Sequence, residues 1–286
     1  MSGRRLAEAL ARETGITNAR LLDAFASIPR ERFLGDPPWL IAKTPLDGGM
    51  QSIYEETDDA DALYANVSVA LDADRQLFNG PPGTVGSWIA VLDVQLGERV
   101  FHVGCGTGYY TAILAELAGS RGSVIGVDVD EELIDRANDA LAHVPNVSIL
   151  KADATTFAPS FFDAAIANMG VSVIPPLWLS RMNPKRGRFV IPLAAPLPRR
   201  GGAAFLSKSI VFLIERDDDA YSARMIGGAI IFTAIGSTNE DAQKRLWRSL
   251  ETSDPHGVHS LRRDRHEADA TCWLHEDDYC FSRNSV

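Results

Sequence analysis

The segment Val100-Phe-His-Val-Gly-Cys-Gly-Thr-Gly108, followed by Val124-Ile-Gly-Val-Asp128, constrains this chain more than any other part of it. Apolar and β-prone residues end in Gly-x-Gly-x-Gly, and an amphipathic run from Tyr109 to Leu117 comes next. That order is strand, tight turn, helix. Glycine lets the backbone turn sharply and approach a ligand with no Cβ in the way. The second strand delivers Asp128 at its C-terminal end, where a carboxylate can hold a ribose hydroxyl pair. Loop, helix and acid in this arrangement point to a nucleoside-cofactor site; an ordinary strand-to-helix turn is the competing explanation.

The glycines fall at 104, 106 and 108, closer together than the Gly-x-Gly-x-x-Gly that brings a pyrophosphate onto a helix N-terminus. The pattern resembles the first motif of class I S-adenosylmethionine-dependent methyltransferases, whose cofactor is a sulfonium nucleoside without phosphate. Further segments agree. Asn146 to Asp153 and Phe162 to Asn168 read as strands, Pro175 to Met182 as a short helix, and Arg188 to Pro192 as another strand. The resemblance implies an α/β fold with a Rossmann-like, seven-stranded, mostly parallel sheet closed by a C-terminal antiparallel hairpin. Ser209 to Arg216 and Ala223 to Thr233, flanking Asp217-Asp-Asp219, supply that hairpin. Asp130 is expected to cap the helix after Asp128, with Glu131 and Glu132 favouring its dipole.

One family carries the whole series Ile28-Pro-Arg-Glu-Arg-Phe33, Gln76-Leu-Phe-Asn-Gly-Pro81, the glycine motif, Phe162-Asp-Ala-Ala-Ile, Ile174-Pro-Pro-Leu and Gly187-Arg-Phe-Val-Ile-Pro192. The chain resembles protein-L-isoaspartate O-methyltransferases over residues 18–235, best between 97 and 193. Those enzymes methylate the α-carboxylate of isoaspartyl residues in damaged proteins, and the ester then collapses to a succinimide. The resemblance implies S-adenosyl-L-methionine as cofactor. It places Gly104, Cys105, Gly106, Thr107, Gly108 and Tyr109 along the cofactor loop, with Asp128 and Val129 at the ribose. Asp153 and Ala154 border the adenine, and Asn168 closes the site.

Two departures bear on function. Where the family carries a serine beside the acceptor carboxylate, this chain has Asn79, whose amide N–H groups can still donate to a carboxylate and which is therefore the candidate catalytic residue. Pro82 to Thr84 come before a helix expected to begin near Val85, and the acidic stretch from Thr44 to Asp74 aligns poorly. His102 stands where class I methyltransferases place an acid for the amino-acid end of the cofactor. It either accepts from the ammonium through a neutral nitrogen or is a strand residue satisfied by its neighbours.

The chemistry asks little of the protein. The sulfonium methyl is already activated, so displacement needs proximity and alignment. A carboxylate is ionised near neutral pH and needs no general base, which agrees with the lack of a His/Asp constellation. The leading expectation is O-methylation of a carboxylate on a peptide or small biosynthetic intermediate. Isoaspartyl repair and a catalytically inactive cofactor-binding scaffold are the alternatives.

At 286 residues the chain divides into N-terminal helices and an acceptor-side region (1–85), a cofactor-binding core (86–236) and a C-terminal extension of unassigned role (237–286). Net charge is −10, and the Arg199-Arg200 and Arg262-Arg263-Asp-Arg265 clusters are short, so a broad nucleic-acid surface is not expected. No apolar run reaches membrane-spanning length and no signal-peptide core precedes the first helix. Three cysteines give no disulfide framework, and the cytoplasm is the expected compartment. N-terminal helices are expected over Arg5–Glu13 and Asn18–Ser27 with Thr17 as a cap, and Trp39 either lines the acceptor cleft or anchors a loop. Another helix runs from Asn239, its cap, to Leu250. His266, Cys272, His275 and Cys280 are zinc-ligating residue types, but interleaved Trp273, Leu274, Tyr279 and Phe281 favour a strand pair with buried aromatics. No metal is therefore expected. The segment from Glu251 packs over the domain or contributes to a homodimer.

Overall fold

The computed structural model describes residues 2–43, 54–157, 159–196, 206–232 and 239–286. Two helices open the chain, α1 (Ser2–Thr14) and α2 (Ala19–Ser27). The α2 cap is Asn18 and not Thr17, because the Asn18 carboxamide oxygen accepts from Leu21 N at 3.1 Å. Strands β1 (Trp39–Ala42), β2 (Tyr54–Thr57), β3 (Val69–Asp72) and β4 (Leu77–Asn79) form a separate antiparallel sheet in the order β2-β1-β3-β4. Trp39 is the loop anchor: its indole donates to Gly35 O at 2.9 Å and its ring packs with Leu34, Leu63 and Val69.

Helix α3 (Pro82–Leu92) starts three residues earlier than expected, with Pro82 in its first turn where the missing N–H costs nothing. The loop after Asn79 is correspondingly short. The sequence divides at 85/86, yet α3 runs across that point.

The large sheet follows from β5 (Arg99–Val103), β6 (Ser123–Asp128), β7 (Val147–Lys151), β8 (Ala164–Ala167), β9 (Gly187–Pro196), β10 (Leu206–Asp217) and β11 (Ala220–Phe232). Neighbours β9-β8-β5-β6-β7 are parallel, and the β10–β11 hairpin pairs antiparallel to β9. Helices α4 (Tyr109–Ala118), α5 (Glu131–Leu141) and α6 (Pro176–Arg181) connect the strands. Asp130 caps α5 as expected, accepting from Leu133 N at 3.1 Å. Helix α4 is not amphipathic. Nine of its ten residues are buried, all but Glu116, because it lies between the sheet and the N-terminal helices.

Beyond the hairpin, α7 (Glu240–Thr252) is capped by Asn239. Strands β12 (Ser260–Arg262), β13 (Cys272–His275) and β14 (Cys280–Ser282) then extend the sheet, giving ten strands among the described residues in the order β13-β14-β12-β11-β10-β9-β8-β5-β6-β7. The extension packs onto the domain: Trp273 and Phe281 meet Phe212 of β10 at ring-centroid distances of 5.6 and 4.5 Å. The expected strand pair with buried aromatics is present. It also gathers His266, Cys272, His275 and Cys280 so that one ligand atom from each lies within 4.8 Å of the others, which linear spacing did not suggest. No helix among the described residues is long and apolar enough to cross a membrane.

Candidate active site

The chain winds from β5 outward through β6 to β7, then returns to place β8 on the other flank of β5. Such a switch point leaves a crevice outside the C-terminal strand ends, where open α/β sheets bind ligands. The glycine loop closes this crevice. Gly104 N and Cys105 N both donate to Val127 O, at 2.9 and 3.1 Å, and so dock the loop on the end of β6. Gly106 and Gly108 have φ of +54° and +91°, and a Cβ at Gly108 would also meet Leu141 Cδ1 at 2.7 Å. Asp128 accepts from Gly106 N at 2.9 Å through one oxygen and from Asp130 N at 3.2 Å through the other. Burial raises its pKa, and these backbone N–H groups oppose the rise.

His102 is wholly buried, which pushes its pKa down to about 3. The neutral ring is satisfied on both sides, 2.8 Å from Thr111 Oγ1 through Nδ1 and 2.9 Å from Asn168 Nδ2 through Nε2. The Asn168 amide therefore donates to Nε2, and the imidazole proton sits on Nδ1, facing Thr111. Among the described residues the Asn168 Oδ1 atom, turned away from the histidine, is buried without a partner, as is Thr107 Oγ1 in the loop. Buried orphan polar atoms on a ligand crevice are what a missing polar ligand leaves behind.

Burial of His102 has a pH signature. The unfolded chain takes up a proton near pH 6.5 and the folded one does not until about 3, so stability is full above neutrality and falls as pH drops through that window. By pH 4.5 the loss attributable to this residue is about 2–3 kcal/mol. Urea unfolding midpoints between pH 7 and 4.5 measure it. His102→Gln, which cannot titrate, should flatten the profile, and an unchanged slope would refute the assignment.

The region expected on the acceptor side is built around Arg30, a fully buried arginine that among the described residues is held by neutral oxygens. Its guanidinium donates to Asn79 Oδ1 at 3.1 and 2.8 Å, to Leu63 O at 2.8 Å, Val67 O at 2.9 Å and Gly80 O at 3.2 Å. Because Arg30 takes the oxygen of Asn79, the amide hydrogens on Nδ2 are what Asn79 has left to offer. Gly80 O also accepts from Tyr110 OH at 2.5 Å, which ties this loop to α4. Across the crevice, Arg75 from the β3–β4 turn pairs with Asp130, and Leu71 of β3 comes within 3.8 Å of the Cβ position of Gly106.

A family model described as protein-L-isoaspartate(D-aspartate) O-methyltransferase matches residues 1–204. The chain belongs to that family. Protein-L-isoaspartate O-methyltransferases of Aeropyrum pernix and Thermotoga maritima are 26% and 25% identical to it over 251 and 195 residues. These alignments take in 85% and 67% of this chain, and 84% and 56% of the relatives. A structure described as a putative protein-L-isoaspartate O-methyltransferase from Plasmodium falciparum, in complex with S-adenosyl-L-homocysteine, superposes with a TM-score of 0.60 at 14% identity. It covers 82% of this chain and 99% of its own, and at that identity it speaks for the fold.

Within this isoaspartate O-methyltransferase family member, the sequence-predicted residues gather at one edge of the sheet. Gly104 to Gly108, Asp128, Val129, Asp153, Ala154 and Asn168 all follow the C-terminal ends of β5, β6, β7 or β8. Val129 is an exposed apolar side chain beside Asp128. Asp153 is exposed and accepts from Thr155 N and Oγ1 at 2.9 and 2.7 Å, while Ala154 O is fixed by the Trp178 indole at 2.8 Å. Tyr109 differs from expectation: it is wholly buried among Phe25, Phe33 and Tyr110 with Arg30 over its ring, so its side chain belongs to the core. Cys105 is buried, and desolvation raises its thiol pKa well above the usual range, which removes a nucleophilic role. Arg30 is the residue that sequence reasoning missed. It stood in a segment quoted for resemblance, and nothing local marks it as the bond partner of Asn79, 49 residues away.

Proposed function

We propose that the protein binds S-adenosyl-L-methionine in this crevice and transfers its methyl group to the α-carboxylate of an isoaspartyl residue in a peptide or protein. The reading is carried by a carboxylate locked to a glycine loop, Asp128, together with an amide locked by a buried cation, Asn79, whose neighbour Gly80 is bonded to Tyr110 of the helix that follows the loop. Asp128 keeps lone pairs for the ribose hydroxyls, Val129 offers an exposed apolar side chain beside it, and Asp153 would accept from the exocyclic amine. Asn168 Oδ1 is the acceptor left for the ammonium, held in orientation by His102. In this chain a neutral histidine and an amide oxygen thus stand in for the acid usual at that position.

The sulfonium supplies an activated methyl group when bound. On the protein side, Asn79 Nδ2 orients the acceptor carboxylate, and the Arg30 charge behind it favours an anion. The attacking oxygen is already ionised, so no base is required. A second reading, methylation of one dedicated peptide or small carboxylate, draws support from the four-stranded acceptor-side sheet, whose outer strand β2 presents Glu55 and Glu56 to solvent.

Calorimetry with S-adenosylhomocysteine, then labelled methyl transfer to an isoaspartyl peptide, tests both. Binding with base-labile label on the peptide is the expected outcome. Binding with no transfer to isoaspartate would move the second reading ahead, and absence of binding would overturn both.

A further inference from the structure

We propose that His266, Cys272, His275 and Cys280 form a structural zinc site that knots the C-terminal extension. Their ligand atoms lie within 4.8 Å of one another. One pair, Cys272 Sγ and His266 Nε2, stands 3.5 Å apart. Zn–S and Zn–N bond lengths give a tetrahedral S···N edge of about 3.6 Å, so that pair is already at coordination distance and the rest need to close by about an ångström.

Backbone geometry explains the convergence. Cys272 and His275 are three apart, which in a regular strand places them on opposite faces. The register of β13 against β14 shifts between Cys272 and Leu274, and one bulged residue returns His275 to the face of Cys272. Cys280 is the direct cross-strand partner of His275. His266 arrives from the preceding loop, its ring 4.8 Å from that of His275 and nearly perpendicular to it.

The surrounding groups are those a metal site requires. His266 Nδ1 lies 2.9 Å from Asp264 O, which fixes the proton there and leaves Nε2 as a lone-pair donor towards Cys272. His275 Nδ1 is buried with no hydrogen-bond partner among the described residues, an orphan that a cation would satisfy. Asp269 N donates to Cys272 Sγ at 3.4 Å, as backbone amides do to metal thiolates. Binding would release two thiol protons and leave a neutral complex of one divalent ion, two thiolates and two imidazoles. Four protein ligands fill a tetrahedron, leaving no open position for catalysis. Five strands separate β14 from β5 in the sheet, so the site acts on the fold of the extension and not on the methyl group.

The full-length chain, purified without chelator, should carry one zinc per chain by mass spectrometry of metals. After chelation under reducing, anaerobic conditions, cobalt titration should give the visible bands of tetrahedral cobalt and sulfur-to-cobalt charge transfer, saturating at one equivalent. Cys280→Ser, which leaves one thiolate, should lose about half of the charge-transfer intensity or more. His266→Gln, at the rim of the site, should bind cobalt at least about tenfold more weakly, with circular dichroism confirming that it is folded. Chelation should lower Tm by several degrees. A folded, reduced protein without cobalt bands would overturn the proposal, as would a native Cys272–Cys280 disulfide in metal-free protein.

Discussion

Replacing Arg30 by alanine is expected to cost about 4 kcal/mol of folding stability and to cripple the acceptor side of the site. The side chain is among the largest fully buried in the described structure, and its hydrogen bonds to Asn79, Leu63, Val67 and Gly80 go to oxygens of buried or half-buried residues. Truncation removes the donors to the Leu63 and Val67 carbonyls and to the Asn79 carboxamide oxygen, while Gly80 O keeps Tyr110 OH. Each such group costs about 1–3 kcal/mol, and water entering the vacated space returns part of that. Arg30→Lys separates packing from geometry. It keeps the charge but cannot fork onto Asn79 while also reaching Leu63 and Val67, so roughly half the stability loss should remain. In the lysine variant, KM for the isoaspartyl peptide should rise several-fold while the S-adenosylhomocysteine Kd stays put. Urea denaturation and these two constants check the argument. An unaltered unfolding midpoint in Arg30→Ala, or equal losses on cofactor and acceptor in Arg30→Lys, would refute it.

The cofactor side was readable in the sequence because its determinants are local. Strand β5, the alternating glycines and Asp128 fall within one strand–helix–strand unit, and the Asp130 cap of α5 follows two residues later. The acceptor side was not. Strands β1 to β4 are three or four residues each, too short for a periodic signal, and β1 meets β3 across a long stretch of chain. The fate of His102 depends on Thr111 and Asn168, 9 and 66 positions away, so no reading of strand β5 alone could decide it. The run from Tyr109 to Leu117 reads as amphipathic, yet tertiary packing buries every residue of α4 but Glu116. In the tail, a bulge between Cys272 and Leu274 decides which side chains share a face, and a bulge leaves no mark in residue types. Local patterns thus mark the glycine loop and strand ends proposed for the cofactor, while the side proposed for the acceptor is built from distant contacts.

Asp128 is where loss of one residue should silence the protein altogether. Its carboxylate holds Gly106 N and Asp130 N and so fixes both walls of the cofactor crevice. The same oxygens are the acceptors offered to the ribose diol, whose two O–H groups would make charge-assisted bonds worth about 1.5–3 kcal/mol each. Asp128→Ala should therefore weaken S-adenosylhomocysteine binding by roughly 100-fold or more, each 1.4 kcal/mol being a factor of ten. Asp128→Asn preserves shape and one acceptor oxygen but loses the charge, and about a tenfold loss is expected. Stability should change far less than affinity, since the residue is half-buried at the sheet edge and its backbone partners gain access to water in the variant. Calorimetry on the three proteins, with thermal unfolding alongside, gives both quantities. If Asp128→Ala bound within threefold of wild type, the loop would be a structural turn and the cofactor would have to sit elsewhere. If the asparagine variant matched the alanine one, charge and not geometry would govern the ribose contact.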